Sequence, residues 1–228
     1  MIVETFPVGL LQCNCTVLGC EETRRALVVD PGDEVEAILA VVERYRLTVE
    51  TILHTHAHLD HLGATAPLAR ATGARVLLHA GDQPLYDHVD EQARLFGFAT
   101  PPTVPVDRHV ADGEELRVGE MRGEVLHTPG HTPGSLCLHL PAPANSPAGA
   151  ASPRASDAPA RLFSGDTLFQ GSIGRTDLWG GDTDAILRSI RERLLTLPDA
   201  TLVVPGHGPS TTIGQERRSN PFLRSLVP

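Results

Sequence analysis

Several kinds of residue are scarce in this chain of 228 residues, and each scarcity excludes something. Four cysteines, Cys13, Cys15, Cys20 and Cys137, are too few for a disulfide scaffold and lack zinc-ribbon spacing, so we interpret them as buried small hydrophobic residues. Lysine and arginine number 19 against 28 aspartates and glutamates. The resulting net charge of −9 argues against a nucleic-acid partner, which requires a basic surface.

Long apolar runs are also missing, and none approaches the length that crosses a bilayer. Residues 1–11 lack the basic region and small-residue cleavage site of a signal peptide. We therefore expect a soluble, cytoplasmic protein without a membrane partner. Hydrophobic residues still make up 41% of the chain, which is sufficient for a core, and layered α/β folds often reach this length as one domain. We expect residues 1–228 to form a single domain.

One segment differs in kind from the rest. Residues 141–160 consist almost entirely of alanine, proline, serine, glycine and asparagine, with no apolar period. Such a segment cannot bury enough surface to offset the entropy lost on ordering. The composition predicts an exposed, flexible loop between two strands.

Strands and helices alternate elsewhere along the chain. Alternating or continuous apolar residues predict three strands within residues 1–30, and apolar spacings of three and four predict an amphipathic helix over residues 33–45. Further helices are predicted over 62–72 and over 185–197, the latter capped by Thr183 or Asp184. Thr212 and Gln215 form a capping-box pair for a short final helix. This order predicts an α/β fold in which sheet packs on sheet with helices outside.

The densest group of potential metal ligands is Thr55-His56-Ala57-His58-Leu59-Asp60-His61, which follows an apolar, β-branched run. Alternate side chains of an extended strand share a face, so His56 and His58 should point together. A helix beginning at Asp60 would aim its side chain and that of His61 back toward them. The motif therefore predicts two neighbouring groups of ligands, which suit zinc and, where a carboxylate takes part, manganese or iron equally well.

Three further candidate ligands share one format, in which a strand runs into a glycine-containing corner. They are His131 in Thr128-Pro129-Gly130-His131, Asp166 in Ser164-Gly165-Asp166 and His207 in Pro205-Gly206-His207. Glycine lets the backbone approach an ion closely. Asp30 also ends an apolar strand, where it either supports the metal ligands or caps the turn forced by Pro31 and Gly32.

Taken together, these residues resemble the metallo-β-lactamase superfamily, and in particular its glyoxalase II-like hydrolases. Asp30, the 55–61 motif, His131, Asp166 and His207 occur in the family's order, and segments 171–177 and 211–221 look like those of small single-domain members. The resemblance implies a four-layer αββα sandwich. It also implies two divalent metal ions, zinc in the first place with iron or manganese as alternatives.

The resemblance further implies a role for each candidate. His56, His58 and His131 would hold one metal, and Asp60, His61 and His207 the other, with Asp166 bridging them. A hydroxide between the ions would be the nucleophile, and Asp60 would orient it. Because a histidine ligand commonly donates its second ring nitrogen to a carboxylate or carbonyl, Asp30 and Asp177 are candidate partners of the ligand imidazoles. Arg175 would anchor Asp177 or meet an anionic substrate.

The implied activity is hydrolysis of a small thioester, such as an acylated glutathione. Full-length glyoxalase II enzymes carry an extra helical domain that grips glutathione, whereas this chain ends about twenty residues after His207, so recognition of glutathione is left open. The alternatives are a persulfide dioxygenase, with one iron held by residues matching His56, His131 and Asp166, and a lactonase. A β-lactamase is a weaker match, and the acidic charge disfavours a nuclease. The sequence does not indicate an oligomeric state.

Overall fold

A computed structural model of the chain describes residues 1–142 and 159–224. All but the first two and the last two residues of the expected 141–160 loop lie outside the described residues. Within the described residues, no helix is both long enough and apolar enough to span a membrane.

The first sheet has six strands, which lie side by side in the order in which they occur in the sequence. They are β1 (Ile2–Val8), β2 (Cys13–Gly19), β3 (Arg25–Val29), β4 (Thr48–Leu53), β5 (Arg75–His79) and β6 (Arg108–Val110). The first three strands pair antiparallel, whereas β3 to β6 pair in parallel. The helices α1 (Val35–Arg44) and α2 (Thr65–Thr72) are the crossovers that parallel neighbours require.

The second sheet also has six strands, in the order β14-β13-β10-β9-β8-β7. They are β7 (Glu115–Val118), β8 (Met121–His127), β9 (Leu136–Leu140), β10 (Arg161–Gly165), β13 (Leu202–Pro205) and β14 (Thr211–Thr212). Only β10 and β13 pair in parallel. A small hairpin of β11 (Leu168–Phe169) and β12 (Ser172–Ile173) and the helix α5 (Thr183–Ser189) lie between these two strands in the sequence, and α6 (Ile213–Ser219) follows β14.

Three buried apolar clusters define the layers. Leu27 and Leu53 of the first sheet and Leu138 and Phe163 of the second share one cluster, which is therefore the core between the sheets. Ile38 of α1 and Leu68 of α2 pack with the other face of the first sheet. Ile186 and Ile190 pack with the other face of the second sheet. The molecule is a four-layer αββα sandwich, as the sequence predicted.

Several local predictions need correction. The second predicted helix begins at Thr65 rather than at residue 62, so that Pro67 stands in its first turn, where its missing N–H removes no helical hydrogen bond. Asp182, not Thr183 or Asp184, caps α5, because its side chain accepts a hydrogen bond from the Ala185 N–H at 2.9 Å. The α-helix then ends at Ser189 and continues as a π-helical segment, Ile190–Leu194.

Residues 81–104 form two helices, α3 (Gln83–Asp87) and α4 (Val89–Phe96), before an irregular segment. The predicted cap of α6 is confirmed, since the Thr212 hydroxyl accepts from the Gln215 N–H at 3.1 Å. Both α4 and Asp82, which directly precedes α3, contact the loops of the candidate site.

Candidate metal centre

The 55–61 motif begins two residues after β4 ends. It closes with a single 3₁₀ turn, Leu59–His61, which takes the place of the helix start that the sequence predicted at Asp60. The rings of His56 and His58 lie 4.8 Å apart, and the turn brings His61 back to 4.1 Å from His56. All three imidazoles are buried. The ligands are gathered as expected, but by a bend at Thr55 and His56 and by the 3₁₀ turn, because the strand that was expected to carry His56 and His58 ends at Leu53.

The three glycine corners bring in the remaining candidates. His131 lies in the β8–β9 loop, and its ring lies 4.7 Å from that of His56. Asp166 follows β10, and His207 follows β13. At Gly206 a Cβ atom would lie 2.2 Å from Asp166 Oδ1, so only glycine lets the backbone pass this close to the carboxylate.

The seven side chains form overlapping groups. In each group the potential ligand atoms lie within 4.8 Å of one another. The groups are His56, His58 and His131; His56, His61 and Asp166; and Asp60, His61 and His207. Asp166 lies between the outer two groups, with Oδ2 at 3.6 Å from His131 Nε2 and 3.8 Å from His207 Nε2. The structure thus brings all seven sequence-predicted candidates to one place.

Polar atoms without partners show that this place fits cations. His56 Nε2, His61 Nε2 and Asp166 Oδ1 are buried and have no hydrogen-bond partner among the described residues. Leaving such an atom unsatisfied is costly, and three that face one cluster indicate a missing common partner. Imidazole nitrogens and carboxylate oxygens are the ligands of zinc, iron and manganese. The donor set therefore fits the two divalent ions that the sequence implies.

The protonation states of these groups also suit metal binding. Burial and the neighbouring histidines hold the pKa of His56 well below its ordinary value and lower that of His58 to about 3. Burial alone would raise the pKa of Asp60, but the nearby His61 and a hydrogen bond with His207 outweigh burial and hold the pKa below its ordinary value, so the carboxyl is ionised. Neutral imidazoles and ionised carboxylates are the forms that bind metal.

His61 lies in a surplus of negative charge. Burial opposes its protonation, but the carboxylates of Asp60, Asp166 and Asp30 raise its pKa well above the ordinary value. A proton on this imidazole thus balances the acidic groups. A divalent cation among the same groups would balance them more completely.

Asp30 supports the ligand loop instead of merely capping a turn. Its carboxylate is buried, accepts from the Thr55 N–H at 2.8 Å and from the Thr55 hydroxyl at 2.6 Å, and lies 3.0 Å from His61 Nδ1. His61 therefore has one ring nitrogen bound to Asp30 and the other directed toward the cluster. Of the two roles that the sequence left open, the structure favours the supporting one. Cys13, whose sulfur lies 3.4 Å from the same nitrogen, is a buried thiol, because burial raises its pKa to about 12.

Asp177 pairs with Arg175 and not with a ligand histidine. The exposed Asp177 carboxylate pairs with the Arg175 guanidinium at 2.7 and 2.8 Å, and it accepts no hydrogen bond from a histidine in the described part of the chain. The partner of His131 Nδ1 is instead the Arg175 backbone carbonyl, at 2.8 Å. The prediction that Asp177 supports a ligand imidazole is corrected, because the arginine two residues away satisfies it.

Asp82 is a supporting residue that the sequence did not reveal. Its fully buried carboxylate accepts from the Ala57 N–H at 2.9 Å, the Thr132 hydroxyl at 2.8 Å and the Gly134 N–H at 2.5 Å. Ala57 separates His56 from His58, and Thr132 follows His131. One carboxylate thus ties together the two loops that carry three candidate ligands. A lone aspartate in a region of poor pattern gives no signal of this role.

Gln92 of α4 is a second supporting residue that the sequence did not reveal. Its side-chain oxygen accepts from the Leu59 N–H at 3.1 Å, and its amide donates to the Ala57 and Leu85 carbonyls at 3.0 and 2.8 Å. The ligand loop is therefore fixed to α4.

The fold and this cluster define the class of protein to which the chain belongs. The model of the Metallo-beta-lactamase superfamily matches residues 8–143 and 160–207. The chain therefore belongs to the metallo-β-lactamase superfamily, whose members bind divalent metals in this fold.

One relative and two solved structures are similar to this chain over nearly its full length. The chain is 38% identical over 227 residues to hydroxyacylglutathione hydrolase GloC of Haemophilus influenzae, covering 99% of each chain. It superposes on the crystal structure of the B3 metallo-beta-lactamase BLEG-1 with a TM-score of 0.84 and 38% identity, covering 98% of this chain and 100% of that one. It superposes on TTHA1623 in a di-iron-bound form with a TM-score of 0.79 and 43% identity, covering 97% and 100%. The superfamily and these relatives together support a metal-dependent hydrolase.

Proposed function

We propose that this protein is a binuclear metal-dependent hydrolase of small thioesters, formed by one domain over residues 1–228. His56, His58 and His131 would hold the first ion, and Asp60, His61 and His207 the second, with Asp166 shared between them. The observation that carries the proposal is the set of three buried, unpartnered ligand atoms on His56, His61 and Asp166. Two divalent ions there would polarise a carbonyl and acidify a water molecule.

The chain's own residues divide the remaining work. Asp60, His207 and Asp166 keep 18%, 28% and 13% of their side chains exposed, whereas the other histidines of the cluster are buried, so substrate and water reach the centre from this side. Asp60 is ionised and lies 3.1 Å from His207 Nε2, which fixes its carboxylate at the open side. There it is placed to orient a water molecule for attack on the carbonyl.

Thioesters are the favoured substrates because the chain matches hydroxyacylglutathione hydrolase GloC over nearly its full length. We also propose a cytoplasmic location, which is supported by four buried cysteines that form no disulfide.

Metal analysis combined with a thiol-release assay tests the proposal. The purified protein should contain about two ions per chain, zinc foremost, and should release thiol from S-lactoylglutathione or from a neutral thioester. A β-lactam and a lactone run in parallel would identify the other hydrolase activities. Release of no thiol by fully loaded protein would reject the thioesterase proposal.

A persulfide dioxygenase is the second candidate. The observation that favours it is the proximity of His131 to Asp166 within the cluster, with His56 beside them, because these three would suffice for one iron. The same metal analysis separates the candidates. One iron per chain together with oxygen consumption on a persulfide would favour the dioxygenase, whereas two ions and thiol release favour the hydrolase.

Replacement of Asp60 tests the proposed mechanism. Asp60→Ala should lower kcat by roughly 10²-fold or more, because it removes both a ligand and the group that orients the attacking water. The fold should survive, since Asp60 lies at the open side of the cluster and not in a core. Asp177→Asn is the matched control, because Asp177 is exposed and pairs only with Arg175. Normal turnover by Asp60→Ala, with unchanged circular dichroism, would contradict the mechanism.

A further inference from the structure

A cavity of about 510 Å³ adjoins the metal centre at His58. Its walls come mainly from α4 and from the loop after Asp177, and the apolar side chains are Leu85, Leu95, Phe96, Leu178 and Trp179. Three of these, Leu95, Phe96 and Trp179, are among the few large apolar side chains that the described residues expose, with 76%, 44% and 55% of their surface accessible. Concave apolar space of this volume is the size of a small-molecule site.

The cavity is held in fixed relation to the candidate ligands. Gln92 of α4 bonds with the backbone of Ala57 and Leu59, on either side of His58. A movement of the cavity wall would therefore break hydrogen bonds that hold the ligand loop. A molecule whose reactive group lies at the metal centre can direct one of its substituents past His58 into this space.

The polar groups of the cavity offer little to an anionic substituent. The Gln92 amide is fully occupied by backbone groups. Arg94 lies 3.8 Å from the Asp90 carboxylate, and Glu91 adds a further negative charge to the same wall. The arginine of the lining is thus balanced by Glu91 in the lining and by Asp90 beside it, and carboxylates such as those of glutathione would meet no unopposed positive charge here.

We propose that this cavity binds an uncharged, apolar substituent of the substrate, so that the preferred thioesters carry a medium-length aliphatic or an aromatic group on one side of the ester. The inference rests on the proposed function and specifies its substrate class. Each methylene buried in the cavity should raise kcat/KM or affinity about three- to fourfold until the space is filled.

Trp179 supplies a readout that does not depend on turnover, because it is the chain's only tryptophan and lines the cavity. Metal-loaded protein is titrated with neutral alkyl thioethers of N-acetylcysteamine, which cannot be hydrolysed, while tryptophan emission is followed. The emission should change on binding, and the dissociation constant should fall about three- to fourfold per methylene. Leu95→Glu, which places a charge in the wall, should weaken binding of the longest thioether at least tenfold. Phe222→Ser, at another exposed apolar position that does not line the cavity, should not alter the dependence on chain length.

Kinetic series then locate the substituent. In one series the acyl chain of N-acetylcysteamine thioesters is lengthened, and in the other the acyl group stays acetyl while the thiol becomes more apolar. A slope in either series supports the inference and shows which side enters the cavity. Flat rates in both series, or unchanged Trp179 emission at all chain lengths, would overturn it. A change of Trp179 emission with protein concentration in the absence of ligand would also overturn the inference, because a second copy of the chain would then cover the cavity. If thioether affinity rose with chain length but no thioester were cleaved, the proposed function would be rejected and the inference about the cavity would stand.

Discussion

Buried charged residues hold the metal centre in shape. Asp30 orients His61 from one side, and Asp82 fixes the backbones around His56, His58 and His131 from the other. Each carboxylate is buried and accepts at least two hydrogen bonds, which offset the cost of burying it. These residues position the loops in which the seven candidate ligands, scattered along the sequence, meet.

Exchange of Asp82 for asparagine tests this support. In Asp82→Asn an amide N–H₂ replaces one acceptor oxygen and faces donors that it cannot satisfy, so the two ligand loops should separate slightly. We expect a 10- to 100-fold loss of metal affinity, the usual effect of removing a supporting partner. Competition with a chelator measures the affinity, and Asp177→Asn is the control. Unchanged metal affinity in Asp82→Asn, with or without a loss of stability, would show that the carboxylate serves the fold alone.

His79 is a second titratable residue with a testable role. Its ring stacks on that of His127 at 4.0 Å, and burial, together with His127 and His109, lowers its pKa to about 4. In the unfolded chain the pKa returns to about 6.5, so between these values the unfolded state binds a proton that the folded state does not. Stability contributed by neutral His79 is therefore lost as the pH falls from about 6.5 toward 4.

His79→Asn removes this titration, and the asparagine oxygen can still accept from the Gly81 N–H as His79 Nδ1 does. Between about pH 7 and about pH 5 the variant should lose less unfolding free energy than the parent chain, by about 1 kcal/mol after allowance for partial exposure. Urea titrations of both proteins at both pH values measure the difference. Equal losses in the parent and His79→Asn would refute the assignment.

At the scale of elements, the ends of strands place the chemistry. Each of β4, β10 and β13 is followed by a candidate ligand within a few residues, and β8 and β9 are joined by the loop that carries His131. Neighbouring parallel strands end at the same edge of a sheet, as β10 and β13 do before Asp166 and His207. Glycine at these ends is required where the backbone of one corner passes the side chain of another.

Gly206 is the sharpest case among these corners. In Gly206→Ala the new methyl group would lie 2.2 Å from Asp166 Oδ1 and 2.9 Å from His61 Cε1, so the shared carboxylate must move. We expect the variant to fold but to retain about one ion per chain or fewer, with activity lowered by roughly 10²-fold or more. Gly73→Ala is the control, because a methyl group there meets nothing within 4 Å and costs only about 1 kcal/mol of backbone strain. Two ions and full activity in Gly206→Ala would contradict this account.

At the scale of the whole molecule, the candidate metal centre and the connection between β9 and β10 lie at opposite ends of the sandwich. Asp166 follows the carboxyl end of β10, whereas β10 begins at the opposite end, where Arg161 pairs with Leu140 of β9. The segment that joins these two strands therefore leaves the fold at the end away from the metal centre. Residues 143–158 lie outside the described part of the chain, but their points of attachment fix where they connect.

Shortening this connection tests the separation. Because Leu140 and Arg161 are opposed in register, an Asn-Gly turn in place of residues 141–160 can close β9 and β10 as a hairpin. The shortened protein should keep both ions and its kcat/KM within about twofold of the parent, since none of the seven candidate ligands lies in the segment and β9 and β10 are joined at the end away from them. Steady-state assays and metal analysis measure both. A large loss of activity in a folded, metal-loaded variant would show that the segment takes part in the reaction.

The sequence by itself determined the layers and the candidate ligands, because both depend on local patterns. Apolar periodicity over a few residues predicts strands and helices, and the density of four potential ligands between Thr55 and His61 is visible in the sequence, although a bend and a 3₁₀ turn gather them instead of a strand. Glycine corners marked His131, Asp166 and His207 in the same way. Boundaries were less certain, as the starts of α2 and α5 show, since capping competes among adjacent residues.

Only the tertiary structure decided which residues support and shape the site. Asp82 receives its hydrogen bonds from Ala57, Thr132 and Gly134, which are distant in sequence and meet it only because the two sheets pack face to face. The sequence made Asp177 a candidate partner of a ligand imidazole, yet its carboxylate pairs with the Arg175 guanidinium at the surface. The apolar cavity beside His58 joins α4 to the loop at Trp179, about 80 residues later, and no local pattern encodes such a contact. Long-range packing sets these positions, whereas short-range periodicity sets the elements that carry them.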